Sequence, residues 1–180
     1  MYVYEAIRRP KENPTIVGPR ILREVGYSSL SEEQVIENLK AKISVIPGVW
    51  RIYRSVNKRN EVNSKLEFIN ALTKQLVAPD SVSQKNPESL WKDILMQPHN
   101  TAERLFLLDV DTKDEVVLQA LTSNEEIKSH RVVSTPNGFH IVCEPFNPNL
   151  LDSLGIAYDV SVKRDALLYM QTITVPMMII

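Results

Sequence analysis

The most constraining feature of the chain is an apolar run that ends in acid: Arg104-Leu-Phe-Leu-Leu-Asp109-Val-Asp111. A strand apolar on both faces must be covered on both, so it belongs inside a layered structure. Strand alternation places Asp109 and Asp111, two residues apart, on the same face. Two like charges at the end of a buried strand are unfavourable unless a cation sits between them. A divalent ion with oxygen ligands, Mg²⁺ or Mn²⁺, meets that need, and two carboxylates that leave coordination positions open suit phosphoryl or nucleotidyl transfer. The competing reading is a helix-capping turn in which Asp111 and Asp114 favour the positive end of a helix.

The flanking pattern gives the fold class. Thr112-Lys-Asp-Glu115 reads as a capping box and predicts a helix directly after Asp111, running to about Leu121. A strand is predicted over 131–135, and Asn137-Gly138 signals a hairpin in which both turn positions take positive φ. The return strand covers 139–146. Asn147-Pro148 caps a short helix that Gly155 ends, and strands over 157–163 and 166–175 flank a turn at Arg164-Asp165. The order from 104 to 163 is β-α-β-β-α-β, which predicts an α+β, ferredoxin-like or RRM-like core over 101–180.

Residues 1–100 read as an N-terminal α/β extension packed on that core within one compact domain. A strand over 3–8 precedes a loop marked by Pro10, Pro14, Gly18 and Pro19. Ser31-Glu-Glu-Gln34 is a capping box, with Ile36, Leu39, Ile43 and Ile46 along a helix that Pro47-Gly48 ends. A strand over 49–54 follows, with Arg51 and Tyr53 on one face and Arg54 on the other. A second helix carries Leu66, Ile69, Leu72 and Leu76 on one side. Asn86-Pro87 opens a short helix through Met96.

Composition narrows the function classes. With 21 Lys and Arg against 22 Asp and Glu, the chain cannot bind nucleic acid by bulk charge, although one local basic patch remains possible. The single cysteine, Cys143, forms no internal disulfide and sits in an apolar run, which marks it as packing in a reducing compartment. No apolar stretch approaches the roughly 20 residues needed to span a bilayer. A cytoplasmic protein with no membrane association is expected. The oily tail over 175–180 fits a closing strand or a contact with a protein partner or further subunit. Trp50, Trp91, Phe106 and Phe139 read as core, and His99 and His130 lie in polar, loop-like contexts.

His140 differs from the other histidines. It follows the Asn137-Gly138 turn at the start of the return strand, close to the two-carboxylate strand, where an imidazole can donate to phosphate. Together, Leu107-Leu-Asp-Val-Asp-Thr112 and Thr135-Pro-Asn-Gly-Phe-His-Ile-Val142 resemble the first two motifs of the archaeo-eukaryotic primase superfamily. In that family the Asp-x-Asp strand binds two metals and a small-x-His strand binds the incoming nucleotide. Gly138 occupies the small position here, and the spacing resembles that of compact members such as the polymerase domain of bacterial end-joining ligases. The third motif, a hydrophobic residue followed by aspartate, is matched by Tyr158-Asp159-Val160, while Asp165 in Lys163-Arg-Asp-Ala-Leu-Leu168 competes for the role.

The resemblance implies Mg²⁺ or Mn²⁺ held by Asp109, Asp111 and Asp165, or Asp159 as the alternative third ligand. It further implies His140, Asn137, Arg51, Arg54 and Lys163 as contacts for a nucleoside triphosphate, with a DNA or RNA template as partner. The third aspartate follows the histidine sooner than is usual in the family, and residues 1–100 match none of its motifs. Those departures suit an inactive or specialised relative, or a small virus-encoded member, which would work in a host cytoplasm. Two rivals stand beside this reading. Asp109-Val-Asp-Thr-Lys113 also resembles the opening motif of haloacid-dehalogenase-like phosphatases, although Lys113 stands where that family has threonine or valine. A non-catalytic RRM-like module that binds nucleic acid is the other.

Overall fold

The computed structural model describes residues 1–15, 17–26, 30–78, 85–156 and 159–176. The chain is an α+β protein with two four-stranded antiparallel sheets and, among the described residues, five helices. The first sheet comprises β1 (Tyr2–Ile7), β2 (Ile21–Gly26), β3 (Gly48–Ser55) and β8 (Leu167–Val175), in the order β2-β1-β3-β8. The second comprises β4 (Phe106–Val110), β5 (Ser129–Ser134), β6 (Phe139–Cys143) and β7 (Val160–Lys163), in the order β5-β6-β4-β7. The last strand therefore returns to the first sheet, although it follows the whole of the second in sequence. No helix among the described residues is long and apolar enough to cross a membrane.

Helix α1 (Glu32–Ile43) begins as its sequence demands. Ser31 Oγ accepts the Gln34 N–H at 3.2 Å, and Gln34 Oε1 accepts the Ser31 N–H at 2.8 Å. Its buried residues Val35, Leu39 and Ile43 recur every four positions and cover Tyr4, Ala6, Trp50 and Ile52 on the outer face of the first sheet. Each such side chain contributes about 1.5–3 kcal/mol of burial.

The second sheet is covered by α4 (Glu115–Thr122) and the short α5 (Leu150–Ser153), over a core of Leu108, Val110, Phe139, Ile141 and Cys143. The other face of β4 and β6 presents Leu107 and Val142, which meet Leu168 and Val56 beside the first sheet. The two sheets thus face each other across a small apolar contact. Asn57 ties them at that seam: its amide donates to the carbonyls of Leu105 and Arg164, and its oxygen accepts the Leu105 N–H.

Four features differ from the sequence reading or add to it. Residues 21–26, to which the sequence reading assigns no element, form the edge strand β2, whose charged positions are paired across the structure: Arg23 with Glu5 and Asp93, and Glu24 with Lys42. No capping box forms at 112–115. Asp114 is the N-cap, accepting the Val116 N–H at 2.8 Å, so α4 starts later and Asp111 is left outside the cap. Neither Asn137 nor Gly138 has positive φ. The glycine is required for a different reason, given below.

The fourth concerns α2 (Glu61–Val77), which packs on α3 (Pro87–Leu95) and leaves Leu66, Ile69 and Leu76 exposed, with Val62 beside them. Of the expected face Leu72 does turn inward, in company with Ser64 and Phe68, because the helix lies outside both sheets. The caps at Asn86-Pro87 and the helix stop at Gly155, with φ of 70°, are as expected. Ala157, Tyr158 and the tail 177–180 lie outside the described residues, so the tyrosine of the third motif and the proposed closing tail do too.

Candidate active site

Antiparallel pairing of β4 with β6 sets Asp109 directly opposite His140, with Leu107 opposite Val142 one step inward on the same face. The apolar pair seals the floor, and the polar pair opens at the rim. Gly138 makes this possible. A Cβ at that position would lie 2.0 Å from the Val110 carbonyl oxygen and under 3.0 Å from both the N and O of Thr112. The hairpin tip is thus pressed onto the backbone that follows Asp109, with no room for a side chain. Thr135 closes the turn, its hydroxyl accepting the Gly138 N–H at 3.0 Å and its own N–H donating to the Gly138 carbonyl.

Asp109 is held from two sides. Oδ1 lies 3.2 Å from His140 Nε2, and Oδ2 accepts from the ammonium of Lys163. On the far side of the imidazole, Nδ1 accepts the Tyr169 backbone N–H at 3.0 Å. The donor comes from a β-bulge: Ile52 pairs with Gln171 but Tyr53 with Tyr169, so Met170 is an extra residue and the strand turns an amide towards the second sheet. Because Nδ1 is an acceptor, the proton resides on Nε2, facing Asp109.

The short Nε2–Oδ1 distance suggests an ion pair, but burial pushes the His140 pKa below the ordinary imidazole value, with Asp109 only partly opposing it and Lys163 adding to the depression. The neutral form is the one consistent with the structure, since a second proton on Nδ1 would meet the Tyr169 N–H.

These groups line a cleft of about 540 Å³ between the sheets. Of the residues singled out in the sequence, Asp109, Asp111, His140, Asp165, Asn137, Arg51 and Lys163 line it together. Arg54 does not; it projects from the opposite face of β3, paired with Glu32 and stacked 4.4 Å from the Tyr2 ring. Asp159 does not line the cleft either, and its described contribution is a backbone carbonyl that accepts the Asp111 N–H at 2.8 Å.

Asp165 reaches the cleft but is already engaged, with Oδ2 3.0 Å from Arg59 Nη1. Its Oδ1 is buried with no hydrogen-bond partner. Arg59 stands behind Asp165 with its side chain fully buried, and Arg9, Thr135 and Tyr169 complete the lining without having been singled out in the sequence. Thr135 was legible as a turn residue, but nothing local marked the others. Cys143 is buried away from the cleft, its thiol pushed up to about 11 by desolvation, which leaves it inert as a nucleophile.

Among the described residues no three His, Cys, Asp or Glu side chains converge closely enough to hold an ion as they stand. The donor chemistry nevertheless fits a hard cation. Asp109, Asp111 and Asp165 all line the cleft, and Oδ1 of Asp165 is a buried carboxylate oxygen with no hydrogen-bond partner. Compared with protein-family models, with curated proteins and with solved structures, the chain matches none.

Proposed function

We propose that the protein is a metal-dependent nucleotidyltransferase of the primase-polymerase kind, adding nucleotides from a nucleoside triphosphate to a nucleic-acid 3′-hydroxyl on a DNA or RNA template. The observation that carries this reading is the register of Asp109 opposite His140, which sets the Asp-x-Asp and Gly-x-His motifs on one wall of one cleft. The order β5-β6-β4-β7, with α4 and α5 as the crossing helices, supports a ferredoxin-like core beneath it.

Asp109 and Asp111 would hold Mg²⁺ or Mn²⁺, with Asp165 as third ligand. When bound, the metal supplies charge neutralisation for the attacking hydroxyl and the departing pyrophosphate. His140, fixed as the Nε2–H tautomer, would turn that one N–H from Asp109 to a phosphate oxygen once Asp109 is engaged by the metal, without needing to ionise. Arg51, on the opposite wall, and Lys163 balance the triphosphate charge, and Asn137 lies at the hairpin tip beside them.

The test is incorporation of labelled nucleotide on primed and unprimed single strands, with Mg²⁺ or Mn²⁺ added. Incorporation that survives Asp109→Ala with Asp111→Ala rules the reading out. One observation favours a second reading, a non-catalytic nucleic-acid-binding module: Asp109 is already neutralised by Lys163. Tight single-strand binding that is indifferent to Mg²⁺, with no incorporation, identifies that case.

A further inference from the structure

We propose that Lys163 acts as a resident counter-ion that keeps divalent metal out of the free cleft and releases Asp109 when a polyphosphate enters. Nucleotide and metal then bind cooperatively rather than independently. The inference rests on the nucleotidyl-transfer reading and adds the order in which the cleft fills.

Three observations carry it. First, neither oxygen of Asp109 is open: one faces His140 Nε2, and the other is taken by the Lys163 ammonium. Asp165 is likewise held, by Arg59. A cation approaching the free cleft finds Asp111 alone unengaged and meets a positive charge beside Asp109. Second, Lys163 is able to leave. It closes β7, the edge strand of its sheet, and its side chain is 49% exposed while that of Asp109 is 21% exposed. An ammonium on a four-carbon stem can swing without disturbing the backbone.

Third, the cleft offers it somewhere to go. Arg9 lines the same cavity, as does Arg51, whose guanidinium is paired with Glu12, so a polyphosphate drawn to Arg9 and the arginine–glutamate pair also lies within reach of Lys163. A polyphosphate carries several negative charges where Asp109 carries one, and it accepts charge-assisted hydrogen bonds from an ammonium as a carboxylate does. Once Lys163 turns to phosphate, Asp109 loses its counter-charge in a half-buried site, and a divalent ion is the natural replacement. By linkage, whatever factor nucleotide adds to metal affinity, metal adds to nucleotide affinity.

The test is Mn²⁺ binding to the full chain without nucleotide, followed by the electron paramagnetic resonance of free Mn²⁺, for wild type, Lys163→Met, Lys163→Arg and Asp109→Asn. Lys163→Met is expected to bind Mn²⁺ about tenfold or more tighter than wild type, within the usual range of coupling between sites. Lys163→Arg keeps the charge and should stay weak. In parallel, binding of a fluorescent non-hydrolysable nucleoside triphosphate to wild type should tighten by a similar factor when Mn²⁺ replaces EDTA, and that gain should shrink in Lys163→Met.

Equal Mn²⁺ affinity in wild type and Lys163→Met, both lost in Asp109→Asn, overturns the counter-ion role and leaves the metal site standing. Mn²⁺ binding that is absent throughout, or indifferent to Asp109→Asn, overturns both. Should Lys163→Met fail to fold, the nucleotide arm on wild type decides alone: affinity that Mn²⁺ does not change refutes the coupling.

Discussion

Alanine at position 138 would place a methyl group 2.0 Å from the Val110 carbonyl oxygen, 2.7 Å from the Thr112 carbonyl oxygen and 2.9 Å from the Thr112 nitrogen. All three atoms are backbone, so no side-chain rotation relieves the overlap. Either the hairpin tip lifts from β4 or the loop after Asp109 shifts. Forced overpacking costs about 1–3 kcal/mol, and the backbone character of every contact puts this case at the upper end, roughly 3 kcal/mol. For a chain of this length that corresponds to a Tm lower by about 6–12 °C.

The same shift separates Asp109 from His140, so nucleotide incorporation should fall with stability. Gly155→Ala is the control: its φ is 70° with nothing within 4 Å, so it carries only the left-handed backbone cost of roughly 1–2 kcal/mol. Gly138→Asn separates close approach from a turn conformation, because asparagine tolerates positive φ but still carries a Cβ. Thermal melts followed by circular dichroism measure all three. Gly138→Ala within about 2 °C of wild type, or Gly138→Asn clearly milder than Gly138→Ala, would falsify the close-packing account.

Two further outcomes follow from the charges around the cleft. His140 has a depressed pKa in the folded state, so the unfolded chain binds its proton first. Its contribution to stability is present above the unfolded value of about 6.5 and is lost as pH falls through the folded value. Urea melts across that window should show a shallower pH dependence for His140→Asn than for wild type, and identical slopes would contradict the burial. Asp165→Ala leaves the fully buried Arg59 guanidinium without its partner, a loss of about 3 kcal/mol or more in metal-free buffer. Adding Arg59→Met should restore most of that loss, whereas a stable Asp165→Ala single variant would show that Arg59 does not depend on it.

Local rules carried much of the chain. Period-two alternation placed Asp109 on one face of β4, and His140 with Val142 on one face of β6, as the structure has them, while Asp111, one residue past the end of β4, still lines the same cleft. Ser31 with Gln34 and Asn86-Pro87 announced their helices because a cap is a contact between residues three apart. Where local signals competed, they misled. Thr112 through Glu115 spelled a capping box that Asp114 pre-empts, and Asn137-Gly138 spelled a positive-φ turn where the glycine answers to the backbone of Val110 and Thr112.

What belonged to the amino-acid order alone was therefore every strand but β2, with the faces of β4 and β6, since dihedral preference and burial alternate over a few residues. What only the tertiary structure decided was who meets whom across the sheets. The return of β8 to β3 delivers the Tyr169 amide to His140, Lys163 takes Asp109, and Arg59 takes Asp165. Those partners are chosen by packing and desolvation between segments far apart in the chain, and no local pattern encodes which buried charge will find which.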